Sequence, residues 1–249
     1  MRVRNDTSSP WQKRIWFEEH EFDAMMDEAR SKAGTVTFSE GAGIDVEAVL
    51  QGAFKIVPDF VDLDPGVLGR TAFHRDGHCE IQISRTLAEA ADGDLVARRR
   101  LRSTIAHEAG HVVQHAHLHV TDTGTLSLFE EPAREAPKVL CRQETVESFK
   151  GGAAGYDGEW WEYQANRGMA SLLLPRREVM NYLLALLSAR GFETIREAMK
   201  SGKTEEIVRE IMRIFDVNMP VVVFRLQELG SLPKNALQAT FALENARLR

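Results

Sequence analysis

"HEAGHVVQHAHLH" at residues 107–119 is the stretch that decides the fold, and it holds five of the eight histidines of the chain. His107 and His111 stand four positions apart within it. In an α-helix such positions lie on one face, about a turn apart. The apolar residues around them recur at helical spacing, which is typical of a packed helix. The pattern predicts a helix that begins after Asp94, a suitable N-cap, and runs to about Ala116.

The two histidines form an H-E-x-x-H motif with Glu108 between them. Two imidazoles one helical turn apart can bind the same tetrahedral Zn²⁺ at roughly 2.0–2.1 Å each. Glu108 is offset by one position, so it is poorly placed as a ligand but can accept a proton from a water on the metal. The motif also arises by chance on amphipathic helices. We predict His107 and His111 as metal ligands and Glu108 as the catalytic base.

Two completions of the site are compatible with the residues. His117 occupies the third histidine position of the pattern H-E-x-x-H-x-x-G-x-x-H, but Gln114 replaces the glycine that lets the chain turn sharply there. Met169 in "NRGMAS" is a weak counterpart of the methionine turn that accompanies this pattern. The alternative is Glu162 in the predicted helix 159–174, which would complete a His₂Glu site and leave a fourth position open.

The same predicted helix carries two further polar candidates. Asn166 lies one turn after Glu162 and is suited to hydrogen-bond a ligand imidazole. Glu159 is the fallback carboxylate, since it lies three positions before Glu162 on a similar face.

Several segments of the chain resemble the ImmA/IrrE family of bacterial and phage metallopeptidases. "IAHEAGHVVQH" and "EYQANRGMASLLLP" are similar to that family's H-E-x-x-H helix and to its later E-x-x-x-N segment, which ends in a small apolar stretch and a proline. With "CEIQIS" and "IFDVNMPVVVFRLQELG", the resemblance covers about residues 44–230. It implies a zincin-like core in which His107, His111 and Glu162 bind Zn²⁺. It also implies a regulatory protease that cuts a DNA-binding repressor.

The chain departs from the family pattern in three places. Asn218-Met219 replaces the usual serine-containing start of the last helix. Gln164 stands where many members have a second acidic residue, which favours Glu162 over a shifted ligand. The 51 positions from His111 to Glu162 form a long gap for this family. The segment "FEEPAREAPKVLCRQETVESF" within it is predicted to be an insertion that forms a lid or a partner surface.

Composition and charge restrict the classes of protein. The 249 residues are 43% apolar and carry a net charge of −6, which argues against broad electrostatic binding to nucleic acid. No apolar run approaches the ~18–20 residues needed to span a bilayer, and the N-terminus lacks the apolar core of a signal peptide. Cys79 and Cys141 suggest no disulfide framework, so we predict a cytoplasmic protein with structural or inert thiols.

We predict an α+β fold in three parts. These are an N-terminal extension with a helix at 1–40, a zincin-like catalytic domain at 41–190 and a helical, helix-turn-helix-like region at 191–249. Residues 1–14 are expected to be loose. "GRTAFHRDGHCEIQIS" predicts two strands around an Asp76-Gly77 turn, within a small antiparallel sheet. A long polar connection is expected at 117–158.

The remaining charged and apolar features favour no second function. His115 is expected to lie in solvent or behind the ligands, and His74 and His78 to be exposed. The basic run at 98–102 is interpreted as a solvated face. The last helix starts with the apolar run 219–224, which lacks the side chains of a DNA reader and suits a protein contact or burial.

The sequence therefore predicts a cytoplasmic zinc-dependent endopeptidase that acts on a protein, such as a helix-turn-helix repressor. It predicts no membrane partner and no direct DNA binding. The alternative is a non-catalytic zincin-like scaffold that binds a protein partner and whose metal is structural or absent.

Overall fold

The computed structural model describes residues 2–7, 9, 11–34, 38–74, 76–122, 138–142 and 159–233. Its helices are α1 (Glu19–Lys32), α2 (Val46–Phe54), α3 (Arg85–Ala91), α4 (Leu95–Asp122), α5 (Trp160–Leu173), α6 (Arg176–Ser188), α7 (Ile195–Lys200), α8 (Thr204–Phe215) and α9 (Met219–Glu228). Its strands are β1 (Arg2–Asn5), β2 (Lys13–Trp16), β3 (Asp59–Val61), β4 (Val67–Phe73), β5 (Cys79–Ser84) and β6 (Lys138–Arg142). This arrangement confirms the α+β class. Across these ranges, no helix is both long enough and apolar enough to cross a bilayer.

The larger sheet has four strands in the order β3-β5-β4-β6. The predicted hairpin of β4 and β5 is confirmed, with Gly77 at φ 90° in its turn. β6 pairs antiparallel with the other edge of β4, whereas β3 pairs parallel with β5. The prediction of a purely antiparallel sheet was therefore wrong at β3.

The helix that carries the H-E-x-x-H motif packs closely against α5. A Cβ atom on Gly110 would lie 2.8 Å from the carbonyl oxygen of Ala165, and one on Gly168 would lie 3.2 Å from the Cα atom of Gly110. Only glycine at these two positions lets the two backbones approach so closely. The close crossing brings the polar side chains of α5 within reach of the histidines of α4.

One large apolar core lies under these two helices. It includes Met26 from α1, Ile105 from α4, Met169 from α5 and Ile207 from α8, so all three predicted parts of the chain contribute to it. The apolar start of α9 is buried there as well: Val221, Val222 and Val223 are at most 2% exposed. The core therefore accounts for the apolar run that distinguishes α9 from a DNA-reading helix.

Three local predictions were wrong. Residues 2–5 and 13–14 lie in the range 1–14 that was expected to be loose, but they belong to the β1–β2 hairpin. The helix expected to end near Ala116 continues to Asp122, so the connection expected from 117 begins as helix and later contains β6.

Asp94 does act as the N-cap, since its carboxylate accepts hydrogen bonds from the backbone of Val96 and Ala97.

The basic run at the start of α4 is not a solvated face. The Nε of Arg99 donates to Asp216 at 2.9 Å and Nη1 of Arg102 donates to the same carboxylate at 3.0 Å. The side chains of Arg99 and Asp216 are only 8% and 6% exposed. Asp216 ends α8 at φ 49°, so this ion pair attaches the turn between α8 and α9 to the helix that carries the motif.

We expect Asp216→Asn to lower the free energy of unfolding by about 3 kcal/mol, because it leaves the buried Arg99 without its counter-charge. Asparagine tolerates the left-handed backbone, so the change isolates the charge. Urea unfolding measures the difference. Glu210→Gln, which breaks the more exposed pair with Arg213, is the control and should cost less than ~1 kcal/mol. Equal small effects of both changes would contradict a stabilising role for the Asp216 cluster.

Candidate metal centre

Three predicted ligands meet between α4 and α5. The Nε2 atoms of His107 and His111 are 3.1 Å apart. The Oε2 atom of Glu162 lies 3.0 Å from Nε2 of His107, and its Oε1 atom lies 3.3 Å from Nε2 of His111. All three side chains are buried. The residues that the sequence predicted as ligands are thus brought together, and Glu162 supplies the carboxylate.

His107 is oriented by Asn166. The Oδ1 atom of Asn166 lies 3.0 Å from Nδ1 of His107. An amide oxygen accepts hydrogen bonds only, so the proton of the neutral imidazole resides on Nδ1. The lone pair on Nε2 then faces Glu162 and His111. This is the orienting role predicted for Asn166 from its position on the second helix.

His111 is oriented by a longer chain of hydrogen bonds. The amide nitrogen of Gln164 donates to the carbonyl oxygen of Ile15 at 2.7 Å, so its Oε1 atom faces Nε2 of His115 at 3.1 Å. The Nε2 of His115 therefore donates, and its Nδ1 accepts from Nδ1 of His111 at 3.0 Å. The lone pair on Nε2 of His111 is left facing His107. His115 thus lies behind a ligand, one of the two locations predicted for it.

The centre is suited to a cation. The Nε2 lone pairs of the two neutral imidazoles and the Glu162 carboxylate face one another. None of these atoms carries a proton that could form a hydrogen bond between them. Ligand atoms of a tetrahedral metal with bonds of roughly 2.0–2.1 Å lie about 3.3 Å apart. The observed separations of 3.0–3.3 Å match that edge length. The residues present therefore fit a tetrahedral metal ion with one further ligand.

The electrostatics of the metal-free centre agree with this interpretation. Although burial acts in the opposite direction, the two histidines hold the pKa of Glu162 well below its usual range. Burial also opposes the charge on His107, yet its contacts with Cys141 and Glu162 raise its pKa well above the ordinary value. Burial lowers the pKa of His111. Without a metal, a second proton on the His107 imidazole supplies the positive charge that the Glu162 carboxylate favours.

Glu108 lies beside the ligands and is not one of them. Its Oε2 atom accepts a hydrogen bond of 2.5 Å from the hydroxyl of Thr71 on β4. Its Oε1 atom is buried and has no hydrogen-bond partner among the described residues. A Cβ atom on Gly69 would lie 2.8 Å from Oε1, so glycine is needed where β4 passes over this carboxylate. Burial raises the pKa of Glu108 to about 8 in the absence of a metal. Sequence reasoning did not identify Thr71, because its partner is 37 positions away.

The structure places the competing ligand candidates away from the centre. His117 lies on the continuous helix α4, ten residues after His107 and therefore ~15 Å farther along its axis. Met169 is buried in the apolar core. Glu159 is an exposed residue at the N-cap of α5. The completion of the site by His117 thus requires a turn that α4 does not make.

We expect His115→Ala to weaken the binding of Zn²⁺ about 10–100-fold, because His111 loses the acceptor that fixes its ring. His115→Asn should retain most of the affinity, since its amide oxygen can still accept from Nδ1 of His111. Competition titration with a chromophoric chelator measures both variants. Unchanged affinity in His115→Ala would show that the hydrogen-bond chain does not support the ligand.

An aromatic cluster encloses the far side of His115. The ring of Trp11 lies 5.1 Å from the His115 ring, and Trp160 lies 5.5 Å from it. Trp11 also contacts Phe73 on β4, so the N-terminal segment closes this side of the centre. Sequence reasoning missed this role of the N-terminus, although Trp11 and Ile15 were an apolar signal within a polar stretch.

Among the described residues, a second group of possible ligands lies at the β4–β5 turn. Potential ligand atoms of His74, His78 and Glu80 lie within 4.8 Å of one another. His78 is exposed as predicted, whereas His74 is half-buried. The two rings stack with centroids 4.0 Å apart. Because this surface group can take up added zinc, metal measurements on the buried centre require a control without His78.

Cys141 on β6 is buried, and it is not part of the group formed by His107, His111 and Glu162. Burial raises the pKa of its thiol to about 11. The sequence predicted an inert thiol here, since no C-x-x-C spacing marks it. Cys79 is half-buried on β5 and belongs to neither group of possible ligands.

A scan of protein-family models and a search of curated proteins each gave no match for this chain.

Proposed function

We propose that this protein is a zinc-dependent endopeptidase of the cytoplasm. The observation that carries the proposal is the convergence of two imidazole lone pairs and one carboxylate on a buried point, with the carboxyl of Glu108 beside it. Three protein ligands with one position left over are typical of catalytic zinc sites. The core would then be zincin-like, as the resemblance to the ImmA/IrrE family implies.

The donor set favours zinc over harder ions. Calcium and magnesium prefer six or more oxygen ligands, whereas imidazole nitrogen is a good donor to zinc. Here two of the three candidate donors are imidazole nitrogens. His107, His111 and Glu162 would hold the ion. Asn166 and His115 would keep both imidazoles in the tautomer whose Nε2 atom carries no proton. The lone pair of that atom can then bind the ion.

In this proposal, zinc when bound supplies Lewis-acid activation of a water and of the scissile carbonyl. Glu108 performs the proton transfers. Its Oε1 atom accepts a proton from the attacking water, while Thr71 holds Oε2 by a hydrogen bond and so orients the carboxylate. Glu108 then delivers that proton to the leaving amine nitrogen as the peptide C–N bond breaks. A nearby divalent cation also favours the ionised form of Glu108 that this role needs.

The substrate class follows from the reaction and from the resemblance. An amide-cleaving centre requires a peptide, and the family resemblance implies a folded regulatory protein such as a helix-turn-helix repressor. Arg225, a cation that a DNA reader would present, is buried and donates to the carbonyl oxygen of Leu174. This supports a protein substrate over direct DNA binding.

The test is identification of Glu108-dependent cleavage sites. Zinc-loaded protein and its Glu108→Gln variant are incubated with a native bacterial protein extract, and new N-termini are identified by mass spectrometry. We expect a restricted set of termini with the active protein, lost with Glu108→Gln or with chelator. If the wild-type protein produces no Glu108-dependent termini while zinc is bound, the endopeptidase proposal is wrong.

A non-catalytic scaffold is the second candidate, and one observation favours it. His107 and His111 are 0% exposed and Glu162 is 5% exposed, so the centre is enclosed by protein. Structural zinc sites are closed, whereas catalytic zinc sites keep an open position. The two candidates differ in whether Glu108-dependent cleavage occurs while zinc is bound.

A further inference from the structure

The turn between β4 and β5 holds two histidines opposite each other. The backbone N–H of His74 donates to the carbonyl oxygen of His78 at 3.0 Å, and that of Gly77 donates to the carbonyl oxygen of His74 at 3.0 Å. Gly77 has a φ of 90°, the left-handed conformation that commonly ends a short hairpin loop. Residues paired across two strands have their Cβ atoms about 4.5–5.5 Å apart on one face. The turn therefore holds the two imidazoles side by side.

Glu80 brings a carboxylate to the same pair of rings. It follows His78 by two positions, and alternate residues of a strand share a face. Its Oε1 atom lies 3.3 Å from Nε2 of His74 and 3.5 Å from Nε2 of His78. Two atoms bound to one zinc ion at roughly 2.0–2.1 Å lie about 3.3 Å apart in a tetrahedral site. The carboxylate oxygen is therefore close to the separation of a fellow ligand from both nitrogens.

Asp76 orients the ring of His78. Its Oδ1 atom lies 2.5 Å from Nδ1 of His78, and the same oxygen accepts from the backbone N–H of His78 at 3.2 Å. Because a carboxylate only accepts hydrogen bonds, Nδ1 carries a proton, and the lone pair of the neutral ring is on Nε2. That lone pair is on the nitrogen nearest to Glu80. A carboxylate that holds the second nitrogen of an imidazole is the usual support of a metal-binding histidine.

The Nε2 atom of His74 is enclosed by protein and makes no hydrogen bond among the described residues. The other side of the group is open, since the side chains of His78 and Glu80 are 52% and 50% exposed. The two rings are parallel, with an angle of 5° between them, so the exposed His78 ring must tilt to share an ion with His74. A cation at this point would give the enclosed nitrogen a partner and keep its outward positions for water.

We propose that His74, His78 and Glu80 form a second metal site, which binds one divalent transition-metal ion such as Zn²⁺ at the tip of the β4–β5 hairpin. The proposal is independent of the endopeptidase activity proposed above. Imidazole nitrogen suits zinc, copper and nickel, whereas calcium and magnesium prefer a shell of oxygens. The ion cross-links the two strands three positions from Thr71, the residue that holds Glu108.

Calorimetric titration of Zn²⁺ into protein whose buried centre is already loaded tests the site. We expect one additional ion in wild type and in the control His20→Ala, which removes an exposed histidine of α1. His74→Ala, His78→Ala and Glu80→Gln should each weaken this ion at least about tenfold, since loss of even a supporting residue typically costs 10–100-fold. Circular dichroism confirms that each variant is folded.

Three outcomes of the titration would overturn the proposal. These are a wild-type protein that takes up no additional ion, an additional ion that binds His78→Ala as tightly as wild type, and an affinity that is unchanged in Glu80→Gln. If the buried centre binds no zinc, the ion that depends on His78 is measured alone, so failure of that centre does not affect this test.

Nitrogen NMR of the imidazoles shows which rings bind the additional ion. The Nε2 resonances of His74 and His78 should shift when zinc is added beyond the first equivalent, whereas those of His20 should not. Equal shifts of all three histidines would show uptake without a defined site and would contradict the proposal.

Discussion

Glu108→Gln is expected to retain zinc at the buried centre and to lose about 10³-fold in peptide hydrolysis. Positioned acid–base groups typically contribute 10²–10⁴-fold, and Glu108 is the carboxyl beside the ligands that is not itself a ligand. Glutamine has nearly the same shape and can still accept the hydrogen bond from Thr71. It cannot accept a proton from water. The variant therefore separates proton transfer from metal binding.

The comparison needs a control for bound metal. Bound zinc is measured after dialysis in the His78→Ala background by elemental analysis. A Glu108→Gln protein that loses its zinc would contradict the role of Glu108 as a base, because the residue would then be a ligand.

Glu162→Ala is expected to weaken zinc binding by more than about 100-fold. Loss of a residue that only supports a ligand typically costs 10–100-fold in metal affinity, and Glu162 contributes its carboxylate directly. The two remaining imidazoles would lack the negative charge that compensates the ion in a buried position. Chelator competition in the His78→Ala background measures the change.

Two matched variants distinguish this ligand set from its alternatives. Glu159→Ala removes a carboxylate from the exposed N-cap of the same helix and should leave zinc affinity unchanged. His117→Ala removes an imidazole from the same helix as the ligands, ten residues after His107, and should also have no effect. A strong loss in His117→Ala with little loss in Glu162→Ala would revive the third-histidine completion.

The local part of the site was predictable from sequence because helical geometry determines it. His107 and His111 share a face through their four-residue spacing, and Asn166 lies one turn from Glu162 for the same reason. Asp94 was recognisable as the N-cap from residue type and position. Each of these inferences needs only residues within a few turns of one another.

The contacts that cross the chain were not predictable in the same way. Gln164 reaches the carbonyl oxygen of Ile15 across 149 positions, and no local pattern signals such a pair. The N-terminal residues were expected to be loose, because their strands are short and polar. Trp11 packs against the His115 ring, and Ile15 lies in the same buried apolar cluster as Trp11.

Charge patterning misled the interpretation of the arginine run for a related reason. Clustered cations near a helix start usually face solvent, and the single carboxylate that pairs with Arg99 and Arg102 comes from the far end of α8. The sequence places Asp216 more than a hundred positions away. Only the packed arrangement of α4 against the α8–α9 turn shows that these charges stabilise the fold.

Anomalous scattering at the zinc absorption edge from crystals of the zinc-loaded His78→Ala protein tests the central claim most directly. We predict one strong peak about 2.0–2.2 Å from Nε2 of His107, Nε2 of His111 and the Glu162 carboxylate, with Glu108 outside bonding distance. A peak bonded to Glu108 or to His117, or no peak between these three residues in zinc-containing crystals, would contradict the account.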